Sequence, residues 1–210
     1  TEPPPGIPIA GVLAAPGTYT VSLARRIDGV TVDLEQVQSF EVTSVRQATL
    51  AGSSQSERVA FLRRADELKR ATKGSVAAVD EAVAALEAIK DTLARSTAGL
   101  DLYQEANALA QRAQRLRMRL AGSEAREQMG DPGPVSIQRR IDVASLDATT
   151  AAHGPTGTQR RSLEIAQAEF EEVRPELDRL IDVDLAALQR RLSEAGVPWT
   201  PGRGLPIAGQ

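Results

Sequence analysis

"FLRRADELKRATKGSVAAVDEAVAALEAIKDTL" runs from Phe61 to Leu93, and its reading decides the fold. Phe61, Ala65, Leu68, Thr72, Val76, Val79, Val83, Leu86, Lys90 and Leu93 recur in steps of three and four. That is one heptad seam, broken only where Thr72 and Lys90 occupy apolar positions. The spacing predicts a single helix from Ser56 to about Ser96, roughly 60 Å long at 1.5 Å per residue. Gly74 lies within it at a cost of about 1 kcal/mol, which a packed helix absorbs.

Downstream of Gly99 the same period continues. Leu102, Ala106, Leu109, Ala113, Leu116 and Leu120 predict a second helix, closed by Gly122 at its C′ position. "GDPGP" (Gly130 to Pro134) is a loop, and Pro134 is suited to open a short third helix through Ile137, Ile141 and Ala144. Thr156 and Gln159 read as a capping box. They introduce a long fourth helix through Leu163, Ala166, Phe170, Val173, Leu177, Leu180, Leu188 and Leu192. Pro175 should kink that helix, because it lacks an N–H and its ring clashes one turn back. Short connections favour antiparallel neighbours, so helix four is expected to return along helix one.

Upstream of the seam the period changes to two. In "APGTYTVSL", Pro16-Gly17 is a turn signal, and Tyr19, Val21 and Leu23 alternate with Thr18, Thr20 and Ser22 as in a half-buried strand. Asp28-Gly29 is a hairpin turn. "VTVDL" and "VQSFEVTSV" supply further strand residues, Phe40 and Val42 sharing a face. Three strands at most make an incomplete sandwich, marginal unless something packs on its apolar face.

The expected fold class is therefore mainly α: an antiparallel helical bundle with two long and two shorter helices, preceded by a small incomplete β-sandwich unit. Its parts are an extended Pro-rich segment (1–15), the β unit (16–46), a linker (47–55), the bundle (56–195) and a Pro/Gly-rich tail (196–210). The chain opens on "TEPPPG" with neither Met nor a signal-peptide pattern, as a processed chain or part of a longer one would.

Composition narrows the function classes. With 25 basic and 28 acidic residues the net charge is −3, which implies no broad cationic surface for nucleic acid. Zero cysteines exclude disulfides and thiolate chemistry. No apolar run approaches the roughly 20 residues of a membrane span.

Chemistry-bearing constellations are sparse. His153 is the sole histidine and reads as a helix-ending residue; one histidine supplies neither a di-metal carboxylate bundle nor a His-based zinc site. Asp178, Asp182 and Asp184 would suit a hard cation, but an acidic face balanced by Arg174, Arg179, Arg190 and Arg191 is the simpler reading. Glu171 and Glu172 are read the same way. No carboxylate pair suits glycosidic acid–base work. No Gly-x-Ser-x-Gly elbow and no phosphate-loop pattern occurs. "RAQRLRMR" (Arg112 to Arg119) lies in the last turns of helix two, where the macrodipole favours cations. No catalytic, cofactor-binding or metal-binding residue is assigned, and no cofactor is expected.

Three residues stand out as interaction candidates: Trp199, Tyr19 and Phe40. Trp199 is the only tryptophan, in the tail "GVPWTPGRGLP". Pro198 and Pro201 stiffen that tail, so fixing it loses little entropy. The expectation is a largely buried indole near Val59 or Leu62, or near Phe40 and Val42, with its N–H on a backbone carbonyl.

"PGTYTVSL", then the long heptad helix, then "AGVPWTPGR" after a final amphipathic helix resemble the C-terminal region of large bacterial sortilin-like, BNR-repeat β-propeller proteins. These are often labelled glycosyl hydrolases. The resemblance covers most of the chain in order, through short motifs. It implies a periplasmic or secreted protein with a propeller upstream of an Ig-like unit and a helical tail. This chain carries no Asp-box (Ser-x-Asp-x-Gly-x-x-Trp), so any hydrolase site would lie outside it and no functional residue carries over. The expected role is a non-catalytic docking or assembly module for a protein partner, or for a missing N-terminal part of the same protein. The rivals are an accessory cap on a propeller glycoside hydrolase and a self-associating coiled-coil adaptor acting through helix one.

Overall fold

The computed structural model describes residues 14–44, 52–97, 99–131, 133–146 and 153–204. Most of the Pro-rich segment, most of the linker and the end of the tail lie outside the described residues. The protein is mainly α-helical with a small β unit ahead of the helices. Two compact units divide it, one comprising Thr1–Arg64 with Ser145–Gly157 and the other Ala65–Ala144 with Thr158–Gln210.

The β unit is a two-stranded antiparallel hairpin of β1 (Gly17–Ile27) and β2 (Val30–Val42). Of the runs expected as separate strands, "VTVDL" and the first six residues of "VQSFEVTSV" form one continuous strand. Asp28 (φ 50°) and Gly29 (φ 82°) close the two-residue turn. Positive φ at both central positions matches the right-handed strand twist, which is why Asp-Gly recurs there. The register slips between Ser22 and Ala24, because β2 carries Leu34, Glu35 and Gln36 opposite Leu23 alone. Glu35 takes φ 53° at this bulge, and its N–H donates to Asp33 Oδ1 at 2.8 Å.

α1 (Gln55–Leu93) is the predicted long helix. Its start is a capping box: Ser54 Oγ accepts the Glu57 N–H at 3.2 Å, and Glu57 Oε2 accepts the Ser54 N–H at 2.7 Å. α2 (Leu100–Ala121) ends at Gly122 (φ 82°), whose N–H donates to the Met118 carbonyl at 2.9 Å. A one-turn α3 (Glu124–Gln128) and α4 (Ile137–Ser145) follow. α4 opens later than Pro134 implies: Ser136 is its N-cap, its Oγ accepting the Arg139 N–H at 3.2 Å. α5 (Gly157–Asp178) begins just after Thr156. It continues through a π-helical turn, Arg179–Leu185, into α6 (Ala186–Glu194).

Ion pairs give the helix directions within the second unit. Lys69–Asp142 (3.5 Å) and Asp80–Arg117 (2.6 Å) set α2 and α4 as one column descending against α1. Arg140–Glu169 (2.9 Å), Arg119–Glu172 (3.0 Å), Arg112–Asp184 and Arg191–Asp101 (2.8 Å) set α5–α6 ascending against that column. Each sequential reversal is antiparallel, as short connections require. The last helix is nonetheless parallel to α1, because α2 and α4 run in the same direction and count as one leg. The expected antiparallel return of helix four along helix one is therefore corrected.

The core of this unit joins Val79, Leu86, Ile89, Leu116, Leu120, Ile137, Ile141, Leu180 and Leu188, among others. α1 serves two neighbouring columns, so its buried stripe is wider than a two-position seam. Ser75, Ala82 and Ile89 are buried beside Val79 and Leu86, while Val76 and Val83 are half-buried at the edge. Lys90 lies at the same edge, its Nζ 2.9 Å from Glu87 Oε2. Thr72 is the costly exception: it is 1% exposed and its hydroxyl has no hydrogen-bond partner among the described residues. Thr72→Val should raise stability by about 1–2 kcal/mol, because it removes an unsatisfied buried hydroxyl and keeps the shape. A urea midpoint below the parent's would show that the hydroxyl is satisfied after all.

Pro175 lies within α5 without ending it, and the departure from α geometry begins one turn later. The reason is in the apolar spacing. Leu163, Ala166, Phe170, Val173, Leu177 and Leu180 step by three and four, then Leu185 follows after five. One π turn takes in the extra residue, so Leu185, Leu188 and Leu192 stay buried.

Candidate functional site

The hairpin register sorts its side chains onto two faces. Tyr19, Val21, Arg25 and Ile27 of β1 share one face with Phe40, Gln38, Val32 and Val30 of β2. Thr18, Thr20, Ser22 and Arg26 lie on the other. The first face is apolar along nearly its whole length and is open to solvent: Val21 is 52% exposed, Ile27 54%, Val30 64% and Phe40 51%. Leu23 and Leu34, at the bulge, are also exposed. An alternation this regular is the pattern of a sheet with one side buried, yet nothing in the described residues buries it.

Two sequence-selected residues organise one end of this face. Tyr19 and Phe40 pair across the strands, their rings stacked with centroids 6.0 Å apart and planes at 24°. The Tyr19 hydroxyl donates to the Ala15 carbonyl at 2.8 Å, which fixes the ring. Arg25 is the face's single charge, toward the turn end, and makes no ion pair among the described residues.

Trp199 departs from expectation. Its N–H donates to backbone carbonyls, those of Arg203 (3.2 Å) and Gly204 (3.1 Å), as the sequence reading required. The indole itself is 49% exposed, and both its partners belong to its own tail. The tail is anchored by other residues. Gly196 (φ 67°) ends α6 with its N–H on the Ser193 carbonyl, while the Val197 N–H reaches the Leu192 carbonyl at 3.0 Å. Val197 and Thr200 are buried. The Arg203 guanidinium donates to the Val197 and Pro198 carbonyls and to Ser193 Oγ, and burial lowers its pKa from the ordinary value. Gly202 lies so close to α1 that a Cβ there would meet Ala85 Cβ at 2.8 Å. The tail thus meets α1 in its C-terminal half, not at Val59 or Leu62, which follows from the parallel course of α5–α6.

Several of the other candidate residues make ion pairs within or between the helices. Asp178 accepts Arg174 Nε at 2.8 Å, and Asp184 pairs with Arg112 of α2. In the basic run, Arg117 pairs with Asp80, and Arg119 with Glu172 and Glu176 (3.0 and 3.5 Å). A groove of about 1310 Å³ between α2 and the start of α4 is lined by several of these arginines. Most of its positive charge is thereby neutralised in place. His153 lies well beyond the end of α4, and its backbone carbonyl accepts the Ser53 N–H at 3.2 Å. Among the described residues no three His, Asp or Glu side chains are placed to hold a metal ion. Among the same residues no helix is long and apolar enough to cross a membrane.

Comparison with protein-family models, curated proteins and solved structures finds no match to this chain.

Proposed function

We propose that this chain is a non-catalytic docking or assembly module that joins a protein partner through the apolar face of β1–β2. One observation carries the reading: a preformed hairpin exposes a continuous apolar face, whereas the apolar stripe of α1 through Val79, Ala82, Leu86, Ile89 and Leu93 is buried in the bundle core. Exposed sheet faces with two free edges are aggregation hazards unless a partner covers them. That contrast favours the hairpin over a coiled coil built on α1. By the resemblance in its sequence, the module serves an extracytoplasmic bacterial β-propeller protein or complex, periplasmic or secreted.

Photo-crosslinking in the source cells tests the reading. A benzophenone side chain at Phe40 lies on the apolar face, and one at Ser39 lies on the opposite face of the same strand. Adducts should form from position 40 and be several-fold weaker from position 39. Equal yields from both positions, or none from position 40, would remove the hairpin face as the docking surface.

A further inference from the structure

The apolar hairpin face is self-complementary, and we infer that its occupant is a second copy of the same chain. This inference rests on the docking reading above and names the partner for that surface. Tyr19 and Arg25 lie on one face of β1, three residues to either side of Ser22. At roughly 3.3 Å per residue, the aromatic pair and the guanidinium each stand about 10 Å from the midpoint of the strand. A two-fold axis lying between the two faces, perpendicular to the strands and level with that midpoint, places Arg25 of each copy over the Tyr19–Phe40 pair of the other. A guanidinium over an aromatic ring is attractive, and the attraction grows when water is excluded. The only charge on the face thereby finds a partner without any acidic residue being needed.

Four further points agree. Isologous contacts require one patch to carry both halves of each interaction, and this face does. The two Arg25 side chains stand about 20 Å apart in such a pair, so like-charge repulsion between them is weak. The exposed apolar side chains present roughly 600 Å² per hairpin, so two copies bury roughly 1,200 Å², the lower limit for a specific interface. Two twisted hairpins packed face to face form a four-stranded sandwich, which supplies the missing layer of the β unit.

Sedimentation equilibrium on the full chain reads the proposal, with charge reversal at adjacent residues as its internal control. The parent should sediment as a dimer at micromolar to hundred-micromolar concentrations. Arg25→Glu should weaken association at least tenfold, whereas Arg25→Lys, which keeps the cation, should weaken it much less. Arg26→Glu makes the same change in net charge on the opposite face and should leave association within about twofold. A dimer equally sensitive to both reversals, or to neither, overturns the proposed interface. A monomer at every concentration overturns the second copy as occupant, and hydrogen exchange then separates the two readings. Protected hairpin amides in that monomer leave the docking surface standing for another partner. Amides exchanging as in an unstructured chain remove the preformed face, and the docking reading with it.

Discussion

Val79→Asp and Leu177→Asp should each abolish the cooperative unfolding of the helical bundle at room temperature or lower its melting point by tens of degrees. Val79 has no exposed surface and Leu177 only 2%, and both belong to the central apolar cluster. Val79 lies on α1 and Leu177 on α5, so the two substitutions test opposite walls of one core. An aspartate at either place is buried without a cation, or takes up a proton and still lacks hydrogen-bond partners. Either outcome costs several kcal/mol, against a total stability of about 5–15 kcal/mol for a domain. Circular dichroism melts provide the measurement, with Val79→Ala and Leu177→Ala as controls for lost volume. A melting point within two degrees of the parent for either aspartate variant would mean that its side chain is not in the core.

Where the sequence carried a period, the structure was readable from it. The steps of three and four from Phe61 to Leu93 give α1 nearly to its ends, and Asp28-Gly29 gives the hairpin turn. The direction of the last helix was not readable, because it depends on whether α2 and α4 make one leg or two. No local pattern encodes that; it is set by how Lys69, Asp142, Arg140 and Glu169 meet in three dimensions. The location of Trp199 failed for the same reason, since it was inferred from that direction. Two helix starts are written locally in the sequence. "SSQSE" contains the Ser54–Glu57 capping box, and Ser136 stands directly before the apolar period of α4. For the candidate surface, Tyr19 and Phe40 were visible as strand aromatics. The place of Arg25 is not legible in the sequence, because it depends on a register that shifts at the Leu34–Gln36 bulge.

The five-residue step from Leu180 to Leu185 makes a sharper test of how sequence sets packing. Deleting Val183 should be tolerated, with a melting point within about three degrees of the parent. Val183 is 57% exposed, so little packing is lost. Its removal shortens the step to four, an ordinary α-helical turn, so Leu185, Leu188 and Leu192 still face the core. Asp184 stays adjacent to Leu185 and keeps its reach to Arg112. Deleting Gln114 from α2 also removes an exposed residue, but from a helix with no wide turn to take up the change. Every later residue of α2 then rotates by about 100° relative to the start of the helix. Leu116 and Leu120, 2% and 0% exposed, leave the core together. Losing two buried leucines costs about 5 kcal/mol or more once the cavities they leave are included. That is enough to remove most of a domain's stability, so the Gln114 deletion should show no cooperative melt. Equal damage from the two deletions would mean that the π turn does not set the register of α6. A Val183 deletion more stable than the parent would go further, showing that the wide turn is kept at a cost.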